Sequence, residues 1–359
     1  MSVIVLSAGG TGGHLFPAQA LAGVLARRGR GVVVMTDTRF GNYATAFPGA
    51  RIQTVPSSPL NAIAAPFKIM AGIAIAFTKL LKLKPAAVVG FGGYPSVPVM
   101  LAANLARLPT AIIEQNAVVG RANRLVMNRV QVVAAAFPIA RFAPNDRSKI
   151  VLTGNPLRPE VEALWGAPYD LPQPGGRLRL LVFGGSQGAR AMSEIVPAAL
   201  TRLPHDLKAR LSVVQQCRPE DIEQVRQIYA NAEIRCRLET FFSDLPQRMA
   251  EAQLVIARSG AGTVAELMAI GRPAILVPLP GALDDNQTPN ADILAKAEAG
   301  WRVAQSALTP DTLAQMLVRI FESPLTLAEM AAKAHALATP HAAQRLADAV
   351  EKLAERKAA

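Results

Sequence analysis

Short apolar, β-branched runs alternate along this chain with stretches whose apolar positions recur every three or four residues. Val3–Ser7, Val32–Thr36, Ala86–Val89, Thr110–Ile113 and Val130–Ala135 read as strands without a polar face. That is the pattern of strands covered on both sides. Between them, Ala18–Arg28 puts Leu21, Val24 and Leu25 on one side of a helix, and another helix follows Ser96 and runs through Leu105. Residues 166–177 (GAPYDLPQPGGR) are rich in proline and glycine, have no period, and read as a loop or linker. The series then resumes with strands at Arg179–Phe183, Leu211–Gln215, Leu254–Ala257 and Ala274–Val277, with a helix ending at Ile270. Helical patterns at Pro310–Phe321, Pro324–Leu337 and His341–Arg356 close the chain. The alternation predicts an α/β protein of two doubly wound domains with parallel sheets, joined near residues 155–177. A length of 359 residues suits two domains.

Glycine turns follow several of these strands: Gly9-Gly10-Thr11-Gly12-Gly13-His14, Gly90–Ser96 (GFGGYPS), Gly184–Gly188 (GGSQG) and Arg258–Thr263 (RSGAGT). Each removes Cβ atoms where a strand gives way to a helix, so backbone N–H groups can approach an anion. A single such turn often only packs a helix on a sheet. Four in one chain favour phosphorylated ligands, bound at the carboxyl ends of the strands. GxxxxGK[ST] is absent, which excludes a P-loop ATPase. The first turn does not match GxGxxG, and Asp37 lies too deep in the next unit for the usual dinucleotide ribose contact. Glu266, in the helix after the fourth turn, suits a ribose diol, and Asn286 and Gln287 could bracket sugar hydroxyls.

Composition narrows the chemistry. Cys217 and Cys236 are the only cysteines, which excludes a disulfide framework and a cysteine-rich metal site; the four histidines are scattered, and the absence of Asp-x-Asp removes the commonest short metal–diphosphate signature. Aromatics at 5% argue against single-strand nucleic-acid binding. The formal net charge is +12, but residues 1–159 hold 17 Lys/Arg against 3 Asp/Glu, while the rest holds 21 against 23. One half therefore faces something anionic. MSVIVLSAGG lacks a basic leader and a cleavage pattern, so no signal peptide is expected. The longest apolar run, Ile69–Phe77, falls short of the ~20 residues of a spanning helix. The expectation is a cytoplasmic protein. Pro66–Lys84 is apolar with Lys68, Lys79, Lys82 and Lys84, and reads either as a buried helix or as an interfacial patch.

The motifs GGTGGHLFP at Gly9–Pro17, GFGGYPS, Glu114-Gln115-Asn116, GNPLR at Gly154–Arg158, GGSQGA, RSGAGTVAE at Arg258–Glu266 and NQTPNA at Asn286–Ala291 occur in this order. Together they resemble the MurG family of UDP-N-acetylglucosamine:lipid I transferases of bacterial peptidoglycan synthesis, from residue 3 to about residue 340. The resemblance implies a GT-B glycosyltransferase architecture: two Rossmann-like doubly wound domains facing a central cleft. Residues 1–160 with 340–359 would form the acceptor and membrane-facing domain, and 161–339 the UDP-GlcNAc domain. It implies no metal and no cofactor. The substrates would be UDP-GlcNAc and lipid I, the reaction an inverting transfer giving lipid II. The implied location is the cytoplasmic face of the bacterial inner membrane, on an anionic surface beside other cell-wall synthesis and division proteins, with no nucleic acid.

By the same resemblance, Ser186 and Thr263 would meet the diphosphate, Phe242 would offer backbone atoms to the uracil, and Glu266 would take the ribose. Asn286 and Gln287 would meet GlcNAc hydroxyls. Arg158 and Arg258 match motif arginines, with Arg158 on the diphosphate. Ala261, Gly262, Val264 and Ala265 complete the donor helix, and Thr11, Gly12, Gly13 and Asn116 line the donor from the N-terminal domain. The acceptor would be met by Gly9, Gly10, Gly92, Gly93, Tyr94 and Asn123. An inverting transfer needs a base for the acceptor hydroxyl. His14, at the carboxyl edge of the first strand, is the first candidate, and Glu114 is the second. The chain departs from the family pattern at Ile113, where a histidine is common, and at Gln253, where an aspartate is usual. Three rivals remain at this point: another GT-B glycosyltransferase with a different acceptor, a sugar-nucleotide epimerase, and a non-catalytic nucleotide-sugar-binding subunit.

Overall fold

The structure is a computed structural model that describes residues 2–9, 12–37, 47–58, 65–185 and 189–355. The chain divides into two units, Met1–Pro159 with Thr339–Ala359, and Glu160–Ala338. In the first unit β1 (Val3–Ser7), β2 (Gly31–Thr36), β3 (Arg51–Thr54), β4 (Ala87–Gly90), β5 (Thr110–Glu114), β6 (Val132–Ala135) and β7 (Ile150–Leu152) form one parallel sheet. Its order is β3-β2-β1-β4-β5-β6-β7. Helices α1 (Gly12–Arg27), α2 (Ala65–Leu83), α3 (Ser96–Leu105), α4 (Arg121–Val126) and, from the far end of the chain, α14 (Ala342–Glu355) cover it.

The unbroken apolar strands follow from this layering. Ile4 and Leu6 point into a core shared with Leu21 and Leu25 of α1 and Leu346 and Val350 of α14. Val5 points the other way, to Leu80 of α2 and Val99 and Met100 of α3. Successive residues serve opposite faces, and both faces are covered. Burial of Leu346, Val350 and Leu353 holds α14, at roughly 2 kcal/mol for each side chain. Its ion pairs, Arg28 to Asp348 and Arg28 and Arg30 to Glu351 at 2.7 Å, lie at the surface, where a pair contributes about 0–1 kcal/mol.

The second unit repeats the plan. Strands β8 (Leu178–Phe183), β9 (Leu211–Gln216), β10 (Arg235–Glu239), β11 (Leu254–Ala257), β12 (Ala274–Leu276) and β13 (Gly300–Arg302) pair in parallel in the order β10-β9-β8-β11-β12-β13. After α5 (Pro159–Glu162), the helices are α6 (Ala189–Leu200), α7 (His205–Arg210), α8 (Ile222–Asn231), α9 (Leu245–Glu251), α10 (Ala261–Ile270), α11 (Gln287–Lys296), α12 (Pro310–Phe321) and α13 (Pro324–Ala336).

Strand order reverses between β1 and β4 in one sheet and between β8 and β11 in the other. Doubly wound sheets bind ligands outside the carboxyl ends of the strands at such a reversal. The four glycine turns are the segments that follow β1, β4, β8 and β11. The first helix starts earlier than its apolar period suggests. It begins at Gly12, so His14 lies in its first turn.

Candidate active site

In the first unit the site grows from the turns after β1 and β4. Gly92 and Gly93 have φ of +82° and +71°, a region that L side chains rarely adopt. They also make room. A Cβ on Gly92 would stand 3.3 Å from Cδ2 and Nε2 of His14, and one on Gly93 3.3 Å from its Nδ1. The imidazole thus rests on bare backbone, and Gly9 closes against the same turn, with its own Cβ position 3.5 Å from the Cα of Gly93. Burial of the ring lowers the His14 pKa from the usual 6.5 to about 4, so it is neutral near pH 7.

Glu114, the second candidate base, is buried and serves the loop after β5. Its Oε1 accepts from the backbone N–H (3.0 Å) and side-chain amide (3.3 Å) of Asn116. Its Oε2 accepts from the Gly120 N–H at 2.9 Å and from Asn123 Nδ2 at 2.8 Å. Burial pushes its pKa up and these bonds pull it down. Asn123, expected at the acceptor, is likewise buried, and its Nδ2 also donates to the Ile113 carbonyl at 3.0 Å. These contacts make both residues framework. Asn116 stays half-exposed beside them. Ile113 is wholly buried in the core with Ile4, Leu6 and Val89. The departure from the family pattern there fills a core position.

Tyr94 is half-exposed, and its hydroxyl donates to Oδ2 of the buried Asp37 at 3.4 Å. Arg158 lays its guanidinium over the Phe16 ring of α1, 4.9 Å from the centroid. Gly12 is partly exposed and Gly13 exposed at the start of that helix. Gly10, Thr11 and Ser186 lie outside the described residues.

In the second unit the turn after β11 leads into α10, whose N-cap, Gly260, provides no side-chain cap. The first N–H groups of a helix have no intrahelical partners and carry partial positive charge. At Gly260 and Gly262 a Cβ would meet nothing within 4 Å, so the approach is open. Thr263 and Glu266 are partly exposed, whereas Ala261, Val264 and Ala265 are buried. The latter three have only backbone to offer.

Arg258 departs from the ligand-contact reading. It is 6% exposed, and its Nη1 donates to the carbonyls of Val277 (3.1 Å) and Pro278 (3.2 Å), its Nη2 to Gln305 Oε1 at 2.6 Å. The guanidinium ties the end of β11 to the chain after β12. Gln287 has a divided role: its Oε1 accepts from the N–H groups of Ser259 (3.2 Å) and Leu279 (3.0 Å). Only its amide nitrogen remains outside these bonds. Asn286 is half-exposed beside it. Phe242 is buried, with the Arg248 guanidinium 4.5 Å from its ring centroid, so only its main chain suits a ligand. Gln253 takes part in a scaffold: its Oε1 accepts from the Arg179 N–H at 2.8 Å and its Nε2 donates to the Asp170 carbonyl at 3.0 Å. Among the described residues no three His, Cys, Asp or Glu side chains cluster as a metal site requires. The sequence reading missed Ser57, whose hydroxyl reaches Asp37, and Asn290, whose Nδ2 holds the Ser259 carbonyl at 3.1 Å. Neither lies in a glycine turn.

Residues 4–135 match the model of the glycosyltransferase family 28 N-terminal domain, and 179–351 that of the family 28 C-terminal domain. Fold and domains together define a glycosyltransferase. Among curated relatives, the UDP-N-acetylglucosamine–N-acetylmuramyl-(pentapeptide) pyrophosphoryl-undecaprenol N-acetylglucosamine transferase of Rhodopseudomonas palustris strain CGA009 is 50% identical, covering 98% of each chain. Its namesake in Methylorubrum populi is 51% identical over 98% of this chain and 97% of its own. The crystal structure of Acinetobacter baumannii MurG is 35% identical, with a TM-score of 0.83 over 98% of this chain and all of that one. The chain belongs to glycosyltransferase family 28 and, within it, to the MurG family.

Proposed function

We propose that the protein transfers GlcNAc from UDP-GlcNAc to the C4 hydroxyl of MurNAc in undecaprenyl-pyrophosphoryl-MurNAc-pentapeptide (lipid I), giving lipid II. The anomeric carbon is inverted and no metal takes part. Relatives half identical over 98% of the chain carry these substrates in their names, which supports both donor and acceptor. The observation that carries the chemistry is His14, a neutral imidazole seated on Gly92 and Gly93 at the reversal of the first sheet.

In the proposed reaction His14 takes the proton of the acceptor hydroxyl as its oxygen bonds to the anomeric carbon of GlcNAc. The bond from that carbon to the UDP oxygen breaks, and UDP leaves with the electron pair. The uncapped start of α10, with Thr263, receives the charge on the diphosphate. Glu266 takes the ribose hydroxyls, the amide nitrogen of Gln287 and Asn286 the sugar, and the Phe242 main chain the uracil. Arg158 is assigned to the diphosphate. Gly9, Gly92, Gly93 and Tyr94 shape the acceptor side, with Glu114 and Asn123 holding the loop behind them.

A pKa near 4 keeps His14 neutral but makes it a weak base in the free protein. The two substrate diphosphates raise it when they bind. His14→Ala is expected to lower kcat about 100-fold. Because the neutral form is the active one and kcat/KM reports the free protein, its loss with acid belongs near pH 4, with no step at 6.5. Near-normal turnover of the variant would remove His14 from the role.

No helix among the described residues is long and apolar enough to cross a membrane. We infer peripheral attachment through α2. It leaves Phe67, Met70, Ile75 and Leu81 exposed along one side, with Lys68 and Lys82 exposed on the helix and Lys84 just past its end. Lys79 contributes less to such a surface, because its Nζ donates to the Thr54 carbonyl at 2.7 Å.

A further inference from the structure

Met1–Pro159 contains three acidic residues among 17 Lys/Arg. Two are accounted for: Glu114 orders the loop after β5, and Asp146 caps a short turn by accepting from the Ser148 N–H at 3.0 Å. The third, Asp37, is 5% exposed and directly follows β2 at the carboxyl edge of the sheet. Thr36 fixes that strand end, its hydroxyl donating to the Ala8 carbonyl at 3.0 Å. Two hydroxyls from different segments converge on Oδ2 of Asp37, each at 3.4 Å: Tyr94, from the turn that seats His14, and Ser57, from the segment after β3. Both bonds are long, as contacts in a substrate-free site often are before they tighten on binding.

The polarity of this arrangement is set by chemistry. An ionised carboxylate only accepts, and a phenol has one proton to give. We propose that Asp37 is a positioning residue that takes the Tyr94 proton, so that Tyr94 offers the acceptor substrate a hydrogen-bond-accepting oxygen. Tyr94 then reads O–H or N–H groups of the acceptor sugar, an N-acetylhexosamine. This rests on the transfer reaction proposed above and on the first unit holding the acceptor.

The test is a double-mutant cycle on Asp37 and Tyr94, read as separate KM values for a short-chain lipid I analogue and for UDP-GlcNAc. Asp37→Leu and Tyr94→Phe are each expected to raise the acceptor KM about tenfold, the size of one lost hydrogen bond, with the UDP-GlcNAc KM unchanged. The double variant should be no worse than the worse single one. Asp37→Asn, which keeps a carbonyl acceptor, should recover part of the loss. Effects that multiply, or a shift in the UDP-GlcNAc KM instead, would overturn the assignment. So would a fall in melting temperature with both KM values intact. If Asp37→Leu does not fold, Tyr94→Phe decides alone, and an unchanged acceptor KM counts against the proposal. The wild-type protein in the same assay separates the two readings. Transfer without coupling sinks only the Asp37 role, and absence of transfer sinks both.

Discussion

Arg258 occupies a motif position expected among the donor-binding residues, yet its guanidinium faces inward onto two carbonyls and a carboxamide. Burial depresses its pKa, the cost of holding a cation there for its hydrogen bonds. Glu114, Asn123 and the carbonyl of Gln287 behave alike, each holding the backbone of a turn. A motif in the sequence marks which turn matters. It does not distinguish a side chain aimed at a ligand from one that shapes the loop, because both are tied to the same backbone path. The place of His14 at the start of α1 was legible because its glycine turn directly follows the first apolar run. The Asp37–Tyr94–Ser57 convergence was not, because its members come from three separate segments. Arg258→Ala should destabilise the protein by on the order of 3 kcal/mol, since three partners lose a charged donor. Urea unfolding checks this. Unchanged stability with lost UDP binding would restore the contact role.

At the scale of elements, the nine strands expected from apolar runs are all present, although β6 starts at Val132 rather than Val130. The four strands not expected are β3, β7, β10 and β13, and these are the edges of the two sheets. An edge strand has a neighbour on one side only and is short and partly solvated. Arg51–Thr54 has no buried residue, and Arg235–Glu239 has one. The signal that reveals a strand covered on both faces is missing there. Helix α2 had two readings in the sequence, core or interface, and the structure buries one side of it and exposes the other. Ala76 and Leu80 are buried in the core while Phe67 and Met70 are 79% and 68% exposed. Replacing Lys68, Lys82 and Lys84 with glutamine should weaken binding to anionic vesicles about 100-fold, at ~1 kcal/mol for each cation. Co-sedimentation at low salt measures it, and unchanged binding would move the membrane surface elsewhere.

For the molecule as a whole, the return of α14 to the first unit sharpens the charge division. Met1–Pro159 with Thr339–Ala359 carries 21 Lys/Arg against 6 Asp/Glu, and Glu160–Ala338 carries 17 against 20. The basic unit contains the His14 turn and α2, and the near-neutral one contains the open start of α10. The charge division supports the proposed division of labour, with the anionic lipid substrate on the basic unit and the nucleotide sugar on the other. Transfer of GlcNAc from labelled UDP-GlcNAc to a short-chain lipid I analogue, with and without EDTA, tests this most directly. The disaccharide product is expected to form at the same rate in both. Saturable UDP-GlcNAc binding without transfer, or transfer abolished by EDTA and restored by a divalent cation, would contradict it.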